Sequence, residues 1–486
     1  MSNESSQNPE QLYRSPFVTR WASREMQELW SDEHKFRLWR RLWIALAESQ
    51  KELGLDISEE ALSQMRDTRD ELNLEVAREY ERELRHDVMA QVHAWGDQCP
   101  AARGIIHLGA TSCFVADNAD LIRIREALQL LLSPLAAACR QLAAFARQFA
   151  EVPCLGFTHF QPAQLTTVGK RACLWLQDLM EDLKEIAELA EEMPFRGPKG
   201  TTGTQASYLK LFDGDEEKVK QLERMVTEKM GFSRPFPVTG QTYPRKFDYK
   251  VLRTLSSLGL TLHKMAVDVR LLANMKEVEE PFGKKQVGSS AMAYKRNPMR
   301  CERMTSLSRF LINNAQNAAF TGADQWLERT LDDSANRRLS LAEGFLAADS
   351  VSRLASNISD GLVVNEEVVR ERVKSELPFM ATENILMEAV KAGGDRQELH
   401  ERIREHSMAA ARRVKQDGAD NDLLERIAGD EAFEDIHDRL EDIVSPEAFT
   451  GRAAEQTRSF INDHVEPELE KYHGPADEDV ADELRV

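Results

Sequence analysis

Apolar positions recur at three- and four-residue spacing over most of this chain, the signature of helices with one buried face. Phe36, Trp39, Trp43, Leu46 and Leu53 share such a face, and Gly54 ends it. Ser58 offers an N-cap for a short helix reaching Met65, and a third helical pattern covers about 71–98. The glycine-flanked stretch 104–112 breaks the rhythm. Long patterns then cover 117 to about 150, 163–193, 246–279, 298 to about 316 and 336 to about 358. Several approach roughly 30 residues, against a usual mean of about 11 or 12. Pro134 predicts a kink in the first of them. Few strand patterns appear. Wide apolar stripes on helices this long predict an all-α fold around a long-helix bundle, packed between subunits as well as within one. The rhythm changes again near 361–364. Shorter helices follow, one with Thr382 as cap and Gly393 as stop. These breaks predict three domains, 1–111, 112–364 and 365–486, with residues 1 to about 14 and the acidic tail from Gly474 as loose ends.

Composition narrows the class. At 486 residues the chain exceeds one small core. Its 82 acidic against 63 basic residues leave a net charge of -19, which repels a phosphate backbone and argues against nucleic-acid binding. A small anionic substrate is still acceptable, because it sees only local arginines. Cysteines 99, 113, 139, 154, 173 and 301 form no CxxC or Cys/His metal spacing, so they read as reduced core thiols, and because the carboxylates over 324–333 make no octahedral oxygen-ligand loop, no metal is expected. No apolar leader opens the chain and no apolar run approaches about 18 residues, which predicts a soluble cytoplasmic protein without membrane contact.

Five separated segments carry unusual polar content beside glycine or proline. They are Arg85-His86-Asp87; Thr111-Ser112 after HLGA; THFQPAQ around His159; VGSSAMAYKRNP over 287–298; and ERTLDDSANRR over 328–338. The loop 287–298 packs hydroxyls, a lysine, an arginine and an amide between two helical patterns, as a closing loop over an anion would. Each segment has a plain alternative. The loop can be a solvated connection, and His159 a hydrogen-bonded structural residue near a helix start. His86 can sit in a surface charge cluster, His107 and Thr111 can satisfy turn backbone, and Arg329, Arg337 and Arg338 can pair with Asp332 and Asp333 in solvent.

Together, and in this order, the segments resemble those of the fumarase/aspartase superfamily, and most closely its adenylosuccinate lyase branch, from about residue 13 to 465. The resemblance implies β-elimination of fumarate from adenylosuccinate or SAICAR, with no cofactor. It implies a homotetramer whose sites are shared between subunits. It assigns Ser289 as general base, His159 as general acid, Lys295 as the cation beside the serine, and His86 as the group orienting substrate and acid. It gives Thr111, Ser112, Gln241, Lys295 and Asn297 to the succinyl carboxylates. Arg20, Trp21, Arg303, Arg329, Ser334 and Arg338 fall to the phosphate and sugar, with Arg85 and Asp87 lining the pocket. A segment over 199–205 is expected near the pocket mouth. Two positions depart from the pattern: Ala293 stands where proline is usual, and Trp21 where tyrosine is usual. The competing readings are another fumarate-releasing lyase, such as an argininosuccinate lyase, and an inactive crystallin-like relative. The arginines at 20, 329 and 338 argue against the first, and Ser289, His159 and Lys295 against the second.

Overall fold

The computed structural model describes residues 12–283 and 285–472, so most of the expected loose ends lie outside the described residues. The chain is all-α around long helices, as the periodicity predicts. Helix α1 (Asp32–Glu52) starts where the Ser31 hydroxyl accepts the His34 N–H at 3.1 Å, and Gly54 follows its end at φ +99°. Ser58 caps the next short helix, Glu59–Asp67, as expected.

The pattern over 71–98 is two helices, α2 (Leu74–Leu84) and α3 (Asp87–Gln98). The break is a left-handed Arg85 at φ 52°, followed by an extended His86 that caps α3. The bundle itself is α4 (Ser112–Gln148), α5 (Val168–Glu192), α6 (Lys246–Asn274), α7 (Met299–Ala323) and α8 (Asp333–Asp360). Helix α4 runs as one element through Pro134, so the expected interruption takes the form of a lost ladder donor inside a continuous helix. By length and composition α4 could also cross a membrane, contrary to the sequence expectation; here its apolar residues are buried in the bundle.

One large core joins α1, α4, α5, α6, α7 and α8, and a smaller separate core gathers residues between 381 and 440. Close approach is built in. A Cβ on Gly169, at the start of α5, would lie 2.2 Å from the Ala146 carbonyl oxygen of α4. Thr382 is not a cap: its hydroxyl donates to the Phe379 carbonyl, and the helix Thr382–Lys391 starts without a side-chain cap.

The largest departure precedes α5. Residues expected to begin that helix at 163 form an antiparallel hairpin, β1 (Pro153–Thr158) and β2 (Gln161–Thr167). Pro162 and the threonines hold the backbone extended, and Thr167 caps the helix only afterwards. A second small pairing joins β3 (Val278–Glu279) to β4 (Val363–Val364), where the helical rhythm changes near 361–364.

Candidate active site

Three groups of polar side chains come from the five segments. The first lines a cavity of about 280 Å³ where the N-terminal ends of α3, α4 and α8 meet. Asp87, Cys113, Arg329, Ser334 and Arg338 face it. His86 holds its Nδ1 toward the Met89 N–H at 3.4 Å, which leaves Nε2 toward the Ser112 hydroxyl, also at 3.4 Å. Asp87 sits 3.8 Å from Arg338, and both are substantially exposed. Thr111 is the N-cap of α4 yet makes no side-chain capping bond, so its hydroxyl is not spent on the helix. The Gln241 side chain accepts a long contact from the Cys113 thiol at 3.7 Å, and its backbone N–H donates to the Glu328 carbonyl at 2.9 Å. Burial pushes the Cys113 thiol up to about 12, so it faces Gln241 as a neutral donor.

The floor of this cavity is a buried charge network: the sequence offered the Arg329–Asp333 pairing only as a solvated one, and did not single out Asp117, Tyr243, Arg245 or Asp248. Arg245, the N-cap residue of α6, donates from Nη2 to Asp117 at 2.9 Å and from Nε to Asp333 at 2.6 Å. Asp333 in turn holds Arg329 Nη1 at 2.9 and 3.0 Å. Beside it, Arg337 donates to Asp248 at 2.7 Å and to the Tyr243 hydroxyl at 2.6 Å, and lies 3.0 Å from Asp120. Arg337 is therefore tied into the core, unlike its neighbour Arg338. Burial works against its charge, but Asp248, Tyr243 and Asp120 hold its pKa well above the ordinary arginine value. A signal was present in the sequence: Asp333 stands four residues from both Arg329 and Arg337 on a helix start.

Arg85 is exposed at its left-handed turn, one residue from this group. His107 is a structural residue. Its Nδ1 accepts the Trp43 indole N–H at 2.9 Å, and burial lowers it to about 4. The segment 199–205, expected near the pocket mouth, packs against the loop 239–241 and does not itself line the cavity. Lys199 is buried and paired with Glu223 at 2.5 Å, and a Cβ on Gly203 would strike the Thr239 carbonyl. Arg196, fully buried, donates to the carbonyls of Gly197, Gly200 and Gln241, and so fixes both loops.

The second group is the loop 287–298 with its neighbours. Ser289 Oγ accepts two backbone N–H groups, from Met292 at 3.1 Å and Ala291 at 3.3 Å. Asn297 closes the loop by donating to the Gly288 carbonyl at 2.7 Å, and a Cβ on Gly288 would lie 2.2 Å from the Lys295 carbonyl oxygen. Glycine is thus required there by close approach. Lys295 is exposed, and no hydrogen bond joins it to Ser289 among the described residues. Ala293 is exposed as well. Glu280, buried ahead of the loop, accepts the Arg300 and Cys301 N–H groups at 3.0 and 2.8 Å and ties the segment entering the loop to the start of α7. Arg303 is held below the ordinary arginine value by burial and then by the charge of Arg20. Trp21 instead packs edge-on against Phe17, with ring centroids 5.6 Å apart, and lines an apolar depression with Phe310 and Leu339.

His159 stands alone. It is exposed at the tip of the β1–β2 hairpin, not near a helix start as expected. Both turn residues are left-handed, His159 at φ 52° and Phe160 at φ 58°, the two-residue turn normally filled by asparagine and glycine. No hydrogen bond or ion pair among the described residues links His159 to either other group.

Comparison with known proteins agrees along nearly the whole chain. A lyase family profile matches residues 15–311, and a profile for the adenylosuccinate lyase C-terminus matches 378–460. The chain is similar to the adenylosuccinate lyase of Saccharomyces cerevisiae, 52% identical over 95% of this chain and 96% of that one. It is 50% identical to that of Schizosaccharomyces pombe over 97% and 98%, and 48% identical to that of Schistosoma mansoni over 95% and 96%. Among solved structures, a fumarate lyase from a Mesorhizobium species superposes with a TM-score of 0.76 at 22% identity, covering 92% of this chain and 99% of that one. The 3-carboxy-cis,cis-muconate lactonizing enzyme of Pseudomonas putida superposes at 0.79 with 19% identity, covering 94% and 99%. These two likenesses speak to the fold.

Proposed function

We propose, from the premise that this chain belongs to the adenylosuccinate lyase family, that it eliminates fumarate from adenylosuccinate to leave AMP, and from SAICAR to leave AICAR. It is a carbon–nitrogen lyase and needs no cofactor for this chemistry. A proton leaves the carbon beside a succinyl carboxylate, and the electron pair spreads into that carboxylate. The pair then returns to form the fumarate double bond as the C–N bond breaks, and the departing nitrogen takes a proton. The dianionic intermediate is the costly species, and fixed donors stabilise it.

Ser289 takes the proton and His159 supplies one to the nitrogen. The two N–H groups on Ser289 Oγ favour its alkoxide, and Lys295 adds its charge once the loop closes and water leaves. Thr111, Ser112, Gln241 and Asn297 hold the carboxylates. Arg329, Ser334 and Arg338, with Arg20 and Arg303, hold the phosphate and sugar. Arg85, His86 and Asp87 line the pocket between these ends, and His86 orients substrate and His159.

One observation carries this division of roles. Asp87, Cys113 and Arg329 with Ser334 and Arg338 line one cavity, with Ser112 beside them against His86 and Gln241 against Cys113, while Ser289 and His159 lie in other groups. A complete site then needs neighbouring copies of the chain, which supports a homotetramer with shared sites. The three-domain division and a cytoplasmic setting belong to the same proposal. The test is fumarate release from each succinylated nucleotide, followed by absorbance. Turnover of both is expected; no fumarate from either would refute the assignment.

A further inference from the structure

Arg329 does not hold its own position. It sits in the connection between α7 and α8, whose neighbours Trp326, Leu327 and Leu331 are well exposed. Two fastenings hold this connection near the cavity: Gln241 donates to the Glu328 carbonyl, and Asp333 binds Arg329 through Nη1. Asp333 is 1% exposed and is gripped from the other side by Arg245 Nε at 2.6 Å. Arg245 is clamped in turn by Asp117, whose second oxygen accepts the Tyr243 N–H at 2.8 Å. The chain Asp117–Arg245–Asp333–Arg329 therefore ties the starts of α4, α6 and α8 to one surface guanidinium. Only Nη1 of Arg329 is spent on Asp333; its Nε and Nη2 have no hydrogen-bond partner among the described residues. Arg329 itself is partly exposed on the cavity wall.

We infer that Asp333, backed by Arg245, is a positioning residue for substrate: it holds Arg329 by one edge so that its remaining donors are presented to the phosphorylated end of the nucleotide. This rests on Arg329 being a phosphate-side contact. The carboxylate is needed because two guanidiniums share it. An asparagine would turn an N–H₂ group toward one of them and loosen the fork without changing size. The arrangement also explains why an acid lies buried in the first turn of α8, where the helix dipole favours it.

The experiment compares product inhibition, because AMP carries the phosphate and fumarate does not. In Asp333→Asn the inhibition constant for AMP should rise about 10-fold, the loss of roughly one charge-assisted contact, with fumarate's within about twofold and kcat little changed. In Arg329→Ala the AMP constant should rise at least as far, and adding Asp333→Asn to it should cost less than about twofold more. An unchanged AMP constant in Arg329→Ala would overturn the assignment of Arg329 itself. A raised constant there with none in Asp333→Asn, or full additivity in the double variant, would overturn the positioning role alone. If Asp333→Asn does not fold, Arg245→Lys is measured in its place. It keeps the charge but loses the fork between Asp117 and Asp333, and absence of an AMP-specific loss in it would also overturn the role.

Discussion

Ser289 Oγ accepts two backbone N–H groups, and in the proposed base role these donors would stabilise negative charge on that oxygen. Ser289→Ala should lower turnover by about 10³-fold or more while nucleotide affinity, measured by equilibrium binding, stays within a few-fold. Turnover near that of the unaltered enzyme would remove serine from the base role. His159 makes the complementary case, because the chain holds it in a conformation that costs stability. Two successive left-handed residues that are not glycine store about 1–2 kcal/mol each. Replacing the pair by asparagine and glycine, His159→Asn together with Phe160→Gly, should raise the melting temperature and abolish turnover. A lower melting temperature would show that the turn is not strained. The same hairpin shows where residue-level reading failed. THFQPAQ offered His159 as a candidate, but the proline and the helical rhythm beyond it suggested a helix start, and only strand pairing across Thr158 and Gln161 exposes His159 at a tip.

At the scale of elements, the long helices were legible where an apolar stripe runs for many turns, as on α5 and α6. The breaks were less so. The split between α2 and α3 turns on one left-handed arginine, which no periodicity announces. The charge network was hidden for a different reason: Asp117, Tyr243, Arg245 and Asp333 look like surface polar residues until tertiary contacts bury them. Helix packing also carries a titratable cost. Asp182 on α5 is buried, with one carboxylate oxygen lacking a partner, and burial pushes its pKa up to about 6 despite the hydroxyls of Thr261 and Ser257 on α6. The folded chain therefore binds this proton more tightly than the unfolded chain does. Its contribution is neutral below about pH 4, falls as pH rises to about 6, and stays unfavourable above that. Asp182→Asn should remove that slope and add up to about 3 kcal/mol at pH 7, read from denaturant unfolding at pH 5 and 7. Equal midpoints for the two proteins at both pH values would contradict it.

For the whole molecule, one copy of the chain carries the candidate residues in three groups. The cavity with Arg329, the loop with Ser289 and the hairpin with His159 share no hydrogen bond or ion pair among the described residues. Exposed apolar side chains on the bundle, including Leu174, Leu260, Phe320 and Leu339, offer surface for further copies. The fold was legible as helices, and the candidate site residues could be named from their motifs, but how those motifs group in space is a property of three dimensions that spacing along the chain does not encode. The central claim is that each working site draws Ser289 and His159 from different copies, and mixing two inactive variants tests it directly. Ser289→Ala and His159→Ala are purified separately, each inactive, then combined under conditions where subunit exchange is verified with labelled chains. Random mixing leaves about one site in four with both groups intact, so fumarate release should return to about a quarter of the unaltered rate. A mixture as inactive as either variant alone, with exchange complete, would contradict the account.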